Sequence, residues 1–200
     1  MDFPSIIRDL GESLIAPRQV IRILIAERRG LLFGFFIVLI FSIIEGAIAT
    51  LTFIGKLATW IPVGFIGWLF GGLSLLFGIT LYVILSIGYW IIGGLIVHLF
   101  CKLFNGRGLF EQTLTAFSYL WLPAFILGLG APFILILDYI TGIGLFLLLF
   151  SISFIWGLIL SSQAISEVHG FGVGKALLSV ISPTVILFII LIIIPLGLTL

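Results

Sequence analysis

One carboxylate, Glu45, lies inside the first long apolar run of the chain. A charged group in hydrocarbon is costly, and those that persist usually face a partner or a pathway. Glu45 is a candidate proton or cation site, and equally a hydrogen-bonded carboxyl that ties helices together. No basic residue is expected at its depth, and Lys56 is the nearest. A second group of chemistry-bearing side chains is spread over two loops. His98 and Cys101 are three apart and share a helix face, and Glu167 and His169 lie much later in the chain. Imidazole, thiolate and carboxylate are zinc-type ligands. These four make a weak metal alternative, although nothing in their spacing requires one. The preferred reading is a polar cluster of His98, Arg107, Glu167, His169 and Lys175 that pins two loops together by hydrogen bonds. No metal and no cofactor is expected. The run Gly170 to Gly174 lacks the preceding strand, the glycine spacing and the Lys-Ser/Thr pair of a phosphate loop. No Ser/His/Asp order and no His-Glu-x-x-His motif is present, so the chain is read as non-enzymatic.

These residues must be positioned by helices in a membrane. Of 200 residues, 62% are hydrophobic and only 8% charged, and mean hydropathy is +1.44. A soluble domain carries about 25% charged residues, so lipid has to cover much of this surface. A net charge of +1 supplies no field for nucleic acid, and one cysteine forms no internal disulfide. No cleavable signal peptide is expected, because charges run through the first thirty residues.

A spanning helix needs about 20 mostly apolar residues. The sequence predicts an all-α, polytopic integral membrane protein of one domain. Five transmembrane helices are expected at 31–53, 79–101, 120–138, 143–165 and 177–198. In the first, about fifteen Leu, Ile, Phe and Val at about −0.3 to −0.6 kcal/mol each outweigh Glu45 at about +3. Residues 57–78 hold Trp60, Pro62, Trp68 and several glycines, which weaken a regular helix, and read as a re-entrant or interfacial element. Pro183 and Pro195 are expected to kink or interrupt the last helix. With five spans and the N-terminus in the cytoplasm, Arg8, Arg18, Arg22, Arg28, Arg29, Lys102, Arg107 and Lys175 fall inside and only Lys56 outside. A sixth span would move Lys102 and Arg107 outside, against the positive-inside rule.

Residues 1–30 read as two amphipathic interfacial helices. Phe3, Ile6, Ile7, Leu10 and Leu14 share one face opposite Arg8, Asp9 and Glu12. Pro17 suits the first turn of the second helix. Arg8, Arg18, Arg22, Arg28 and Arg29 then point at anionic headgroups of the bilayer. A second amphipathic stretch, 109–121, carries Leu109, Phe110, Leu114, Phe117 and Trp121. Small-residue pairs Gly30/Gly34 and Gly67/Gly71 allow close helix approach, and self-association into a homo-oligomer is one use of them.

Four places in order resemble the Yip-domain family, membrane proteins named for interacting with Rab-type GTPases. They are Ala16-Pro17-Arg18; the run His98 to Leu114 around Asn105-Gly106-Arg107-Gly108; Ser118-Tyr119 with Pro123; and Glu167-Val168-His169-Gly170 followed by Gly174-Lys175-Ala176-Leu177 and Pro183. The chain is similar to a compact, prokaryotic-type member, without the Asp-Leu-x-Gly-Pro motif. The resemblance implies five transmembrane helices and a cytosolic N-terminus. It also implies a role in organising membranes or recruiting a cytoplasmic protein partner at the cell membrane. The alternative from the residues themselves is a transporter or channel for an ion or small solute that uses Glu45.

Overall fold

The computed structural model describes residues 3–58, 65–137 and 139–198. Among them there is no strand. Two short helices open the chain, α1 (Phe3–Ile15) and α2 (Pro17–Ala26). Long helices α3 (Gly30–Ala58) and α4 (Phe65–Leu103) follow. A short helix α5 (Phe110–Phe117) leads through two 3-10 turns, Ser118–Leu120 and Leu122–Ala124, into α6 (Phe125–Ile136). Helices α7 (Tyr139–His169) and α8 (Val173–Leu198) complete the chain.

Among the described residues, five segments are long and apolar enough to cross a membrane: Gly30–Leu51, Gly72–Leu103, Phe110–Gly130, Ile140–His169 and Val173–Ile190. Their outward faces carry exposed large apolar side chains, among them Leu85, Ile92, Leu148, Ile155 and Phe188. Water tolerates such surface poorly, and lipid accepts it. Residues 65–78, where a re-entrant or interfacial element was expected, form the first part of α4. Residues 59–64 lie outside the described residues, as does Asp138 at the end of the expected third span.

The chain divides into two compact units. Unit 1 comprises Met1–Phe35, Gly88–Tyr119 and Leu158–Leu200, and unit 2 comprises Phe36–Ile87 and Leu120–Gly157. In unit 1 the core is built from Val20, Ile21 and Leu24 of α2, Phe33 of α3, Val97 of α4, and Leu114 and Phe117 of α5, all buried. Pro17 opens α2 at its first turn, where a missing N–H costs nothing. Helix α2 ends in a left-handed wrap: Arg29 N–H bonds Leu24 O at 3.1 Å, Arg28 N–H bonds Ile25 O at 3.1 Å, and Arg28 has φ 54°. Helix α4 closes in the same way through Asn105, φ 63°, with Gly106 N–H on Cys101 O at 2.8 Å.

Two expectations change at this level. The amphipathic stretch 109–121 does not lie open at a surface, because Leu114, Phe117 and Trp121 are buried in protein. Its polar residues come in with it. Thr113 Oγ1 donates to Leu109 O at 3.0 Å, Thr115 Oγ1 to Glu111 O at 2.9 Å and Ser118 Oγ to Thr115 O at 2.7 Å. Hydroxyls satisfied by their own helix cost little to bury. Gly34 of α3 lets this segment approach, since a Cβ there would sit 3.2 Å from both Thr115 Cα and Ser118 Oγ. The Gly30/Gly34 pair is therefore used within the chain. Gly67 and Gly71 have surroundings outside the described residues.

Helix α8 also continues through Pro183. Proline there has no N–H for the carbonyl four residues back, Ser179 O. Ser182 Oγ donates to that same carbonyl at 2.7 Å, which gives it a partner in place of the lost bond, and the helix is not interrupted there.

Unit 2 gathers Glu45, Tyr82, Leu127, Phe146 and Phe150. Phe146, Phe150 and Phe154 stack along one face of α7, with centroids 6.1 and 6.2 Å apart. Gly157 is the tightest position, because a Cβ would come within 3.1 Å of Leu120 C and closer still to its carbonyl oxygen. Backbone cannot step aside as a side chain can. Gly157→Ala is expected to destabilise the protein by about 2–3 kcal/mol through overpacking, read as a lowered melting midpoint in detergent. An unchanged midpoint would show that the 3-10 turn yields.

Candidate functional site

Unit 1 concentrates the polar side chains. Thr113, near the start of α5, is their hub. Its hydroxyl oxygen lies 2.8 Å from His98 Nδ1 and 2.9 Å from His169 Nε2. Since its one hydrogen goes to Leu109 O, both rings are assigned as N–H donors to the same oxygen. That leaves His169 Nδ1 bare, and it has no hydrogen-bond partner among the described residues. The rings also touch, with centroids 5.7 Å apart. His169 stacks on Phe171 and His98 meets Phe110 edge-on.

The loop after α4 closes over this hub. Arg107 N–H bonds His169 O at 3.2 Å, and Lys102 Nζ bonds Gly106 O at 3.3 Å. A Cβ on Gly106 would collide with the His169 ring and lie 2.8 Å from Cys101 O. This approach explains why glycine precedes Arg107.

A second cluster ties α1 to the body of unit 1. Asp9 is 3% exposed, and its Oδ2 lies 2.9 Å from Arg29 Nη1. Arg29 also meets Glu27. One turn on, Ser13 Oγ donates to Asp9 O at 2.6 Å and lies 3.3 Å from Tyr119 Oη. Ser13 and Tyr119 are fully buried. A third contact joins Arg22 of α2 to Glu167 of α7, Nε to Oε1 at 2.5 Å. The hydrogen bond to Glu167, then its charge, holds the Arg22 guanidinium above its ordinary value.

The candidate residues thus divide. His98 and His169 meet directly, and Arg107 joins them through its backbone while its side chain stays exposed. Glu167 is engaged with Arg22, and Lys175 is exposed. Cys101 is buried. Among the described residues no group of three or more His, Cys, Asp or Glu is placed to hold a metal, so His98, Cys101, Glu167 and His169 do not converge as ligands. Arg8, Arg18, Arg22 and Arg28 are exposed. Arg29 instead turns inward, drawn by the buried Asp9.

Glu45 belongs to unit 2. Its Oε2 accepts the Tyr82 hydroxyl at 3.0 Å. The side chain of Lys56 lies outside the described residues. A cavity of about 220 Å³ reaches Glu45, and its other walls are Ile48, Ala49, Leu127, Phe146 and Phe150. Apart from the Glu45–Tyr82 pair this lining is apolar.

Sequence reasoning missed Thr113, Asp9, Ser13 and Tyr119. Thr113, Ser118 and Tyr119 stood in the motif-bearing stretches, without a role. The usable signal for Asp9 and Ser13 was their spacing of four, which sets two polar groups on one helix face.

The fold and this site define a multi-pass, all-α membrane protein whose polar groups are gathered around the His98 and His169 helix ends. More specifically, the chain belongs to the Yip1 domain family, whose model matches residues 11–194. No curated protein and no solved structure matches it.

Proposed function

We propose that the protein is a non-enzymatic membrane scaffold in the cell membrane, with its N-terminus and the Asn105 loop on the cytoplasmic side. It organises that leaflet and recruits a cytoplasmic protein partner. The observation that carries this reading is how the gathered polar side chains are spent. Thr113, His98, His169, Asp9, Arg29, Arg22 and Glu167 bond to one another. Such bonds hold helix ends in place and present no nucleophile with its base. Arg8, Arg18 and Arg28 stay exposed beside exposed Ile7 and Ile15 of α1, a mixture suited to a membrane surface with anionic headgroups. The apolar walls around Glu45 support a structural carboxyl over a solute pathway.

Purified protein reconstituted at high density into vesicles containing phosphatidylglycerol tests this. Tubulation or vesiculation is expected, and unchanged vesicles would count heavily against the reading. Sidedness is checked by labelling Lys56→Cys and Arg107→Cys with an impermeant maleimide. Opposite sides are expected. For Glu45, Glu45→Gln is expected to leave proton and potassium flux into proteoliposomes unchanged, and a Glu45-dependent flux would restore the transport alternative.

A further inference from the structure

Arg28 occupies a left-handed backbone position, φ 54°, that glycine adopts freely and most side chains avoid. A non-glycine residue kept there points to a use for its side chain. Arg28 lines a groove of about 400 Å³ in unit 1, together with Leu31, Leu109, Glu111, Gln112 and Thr115. Neither Arg28 nor Glu111 forms an ion pair with another described residue. The groove therefore holds one cation and one anion, apart from each other and both uncommitted. Gln112 Oε1 already accepts Leu109 N–H at 3.0 Å, so its amide N–H groups remain as donors.

Depth is set by the helices. The groove is walled by Gly30 and Leu31, which open one candidate span, and by Leu109 and Glu111, which flank Phe110 at the opening of another. Apolar spans begin at headgroup level. Leu31 and Leu109 are 43% and 64% exposed, an apolar rim for acyl chains.

We propose that this groove binds the headgroup of a phosphatidylethanolamine molecule. Arg28 and the Gln112 amide hold the phosphate, and Glu111 takes the primary ammonium. The charge pattern selects the ligand. A phosphatidylglycerol headgroup offers Glu111 only neutral hydroxyls, with no positive charge to balance the carboxylate. A choline headgroup has no N–H to donate to it, and no aromatic ring lines the groove to receive a quaternary ammonium. Membrane embedding is the only premise shared with the scaffold reading. Vesicle remodelling can fail while headgroup selection stands, and the reverse.

The test is native mass spectrometry of the full chain in detergent. Equimolar dioleoyl phosphatidylethanolamine, phosphatidylcholine and phosphatidylglycerol compete for it. Phosphatidylethanolamine is expected to be retained about tenfold over each competitor, the scale of one charge-assisted hydrogen bond. Glu111→Gln should abolish the preference over phosphatidylglycerol. Arg28→Gly, which suits the backbone at that position and so leaves the fold intact, should lower retention of all three. Equal retention of the three lipids by the wild type would overturn the proposal, as would a preference that survives Glu111→Gln.

Discussion

Thr113→Val is expected to lower stability by about 3 kcal/mol, although valine has nearly the same shape. The hydroxyl serves two ring nitrogens, His98 Nδ1 and His169 Nε2. Leu109 O does not depend on it, because Thr113 N–H also reaches that carbonyl at 3.0 Å. Both imidazole N–H groups would lose their acceptor; a buried, unsatisfied group costs about 1–3 kcal/mol, which applies in full to buried His169 and in part to half-buried His98. Thr113→Ser keeps the oxygen and loses only a methyl, about 1 kcal/mol. Melting midpoints of the purified variants in one detergent decide. A serine variant as unstable as the valine one would move the effect from the hydroxyl to the methyl group.

The second large effect is expected at Asp9. Its carboxylate is buried against Arg29, whose side chain is itself 18% exposed. Removing one member of a buried ion pair costs up to about 3–5 kcal/mol, and the remaining contact of Arg29 with Glu27 offsets part of that. Asp9→Ala should therefore be severe and should release α1 from the rest of unit 1, read as rapid proteolysis between α1 and α2. The double variant Asp9→Ala, Arg29→Ala should be milder than the sum of the two single ones, because no orphan charge remains. Strict additivity would show that the two side chains do not interact.

Composition made the membrane class legible, and the apolar runs made the count of five legible. What stayed hidden has one physical theme, which is local satisfaction of polar groups. Residues 109–121 look amphipathic because Gln112, Thr113, Thr115 and Ser118 are polar types. The hydroxyls of Thr113, Thr115 and Ser118 bond their own helix, so the segment is buried. Pro183 looks like a break, and Ser182 one residue earlier repairs it. Asp9 looks like part of a solvated face with Arg8 and Glu12, and an arginine twenty residues on gives it an interior partner. Each case turns on a hydrogen bond between specific atoms, which a hydropathy pattern does not carry. The two histidines were legible as a pair of loop residues. The threonine that joins them was not, because a hydroxyl carries no compositional signal of its own.

The Ser13–Tyr119 contact also sets a timetable. The two residues are separated by 106 positions. At a synthesis rate of about 5–20 residues per second, roughly 5–20 s pass between the emergence of the two side chains. Throughout that interval the buried face of α1 has no Tyr119 to meet, while the apolar runs of α3 and α4 are already being delivered to the bilayer. Locking of the first helix is thus a late event in assembly, and the membrane surface is its natural waiting place.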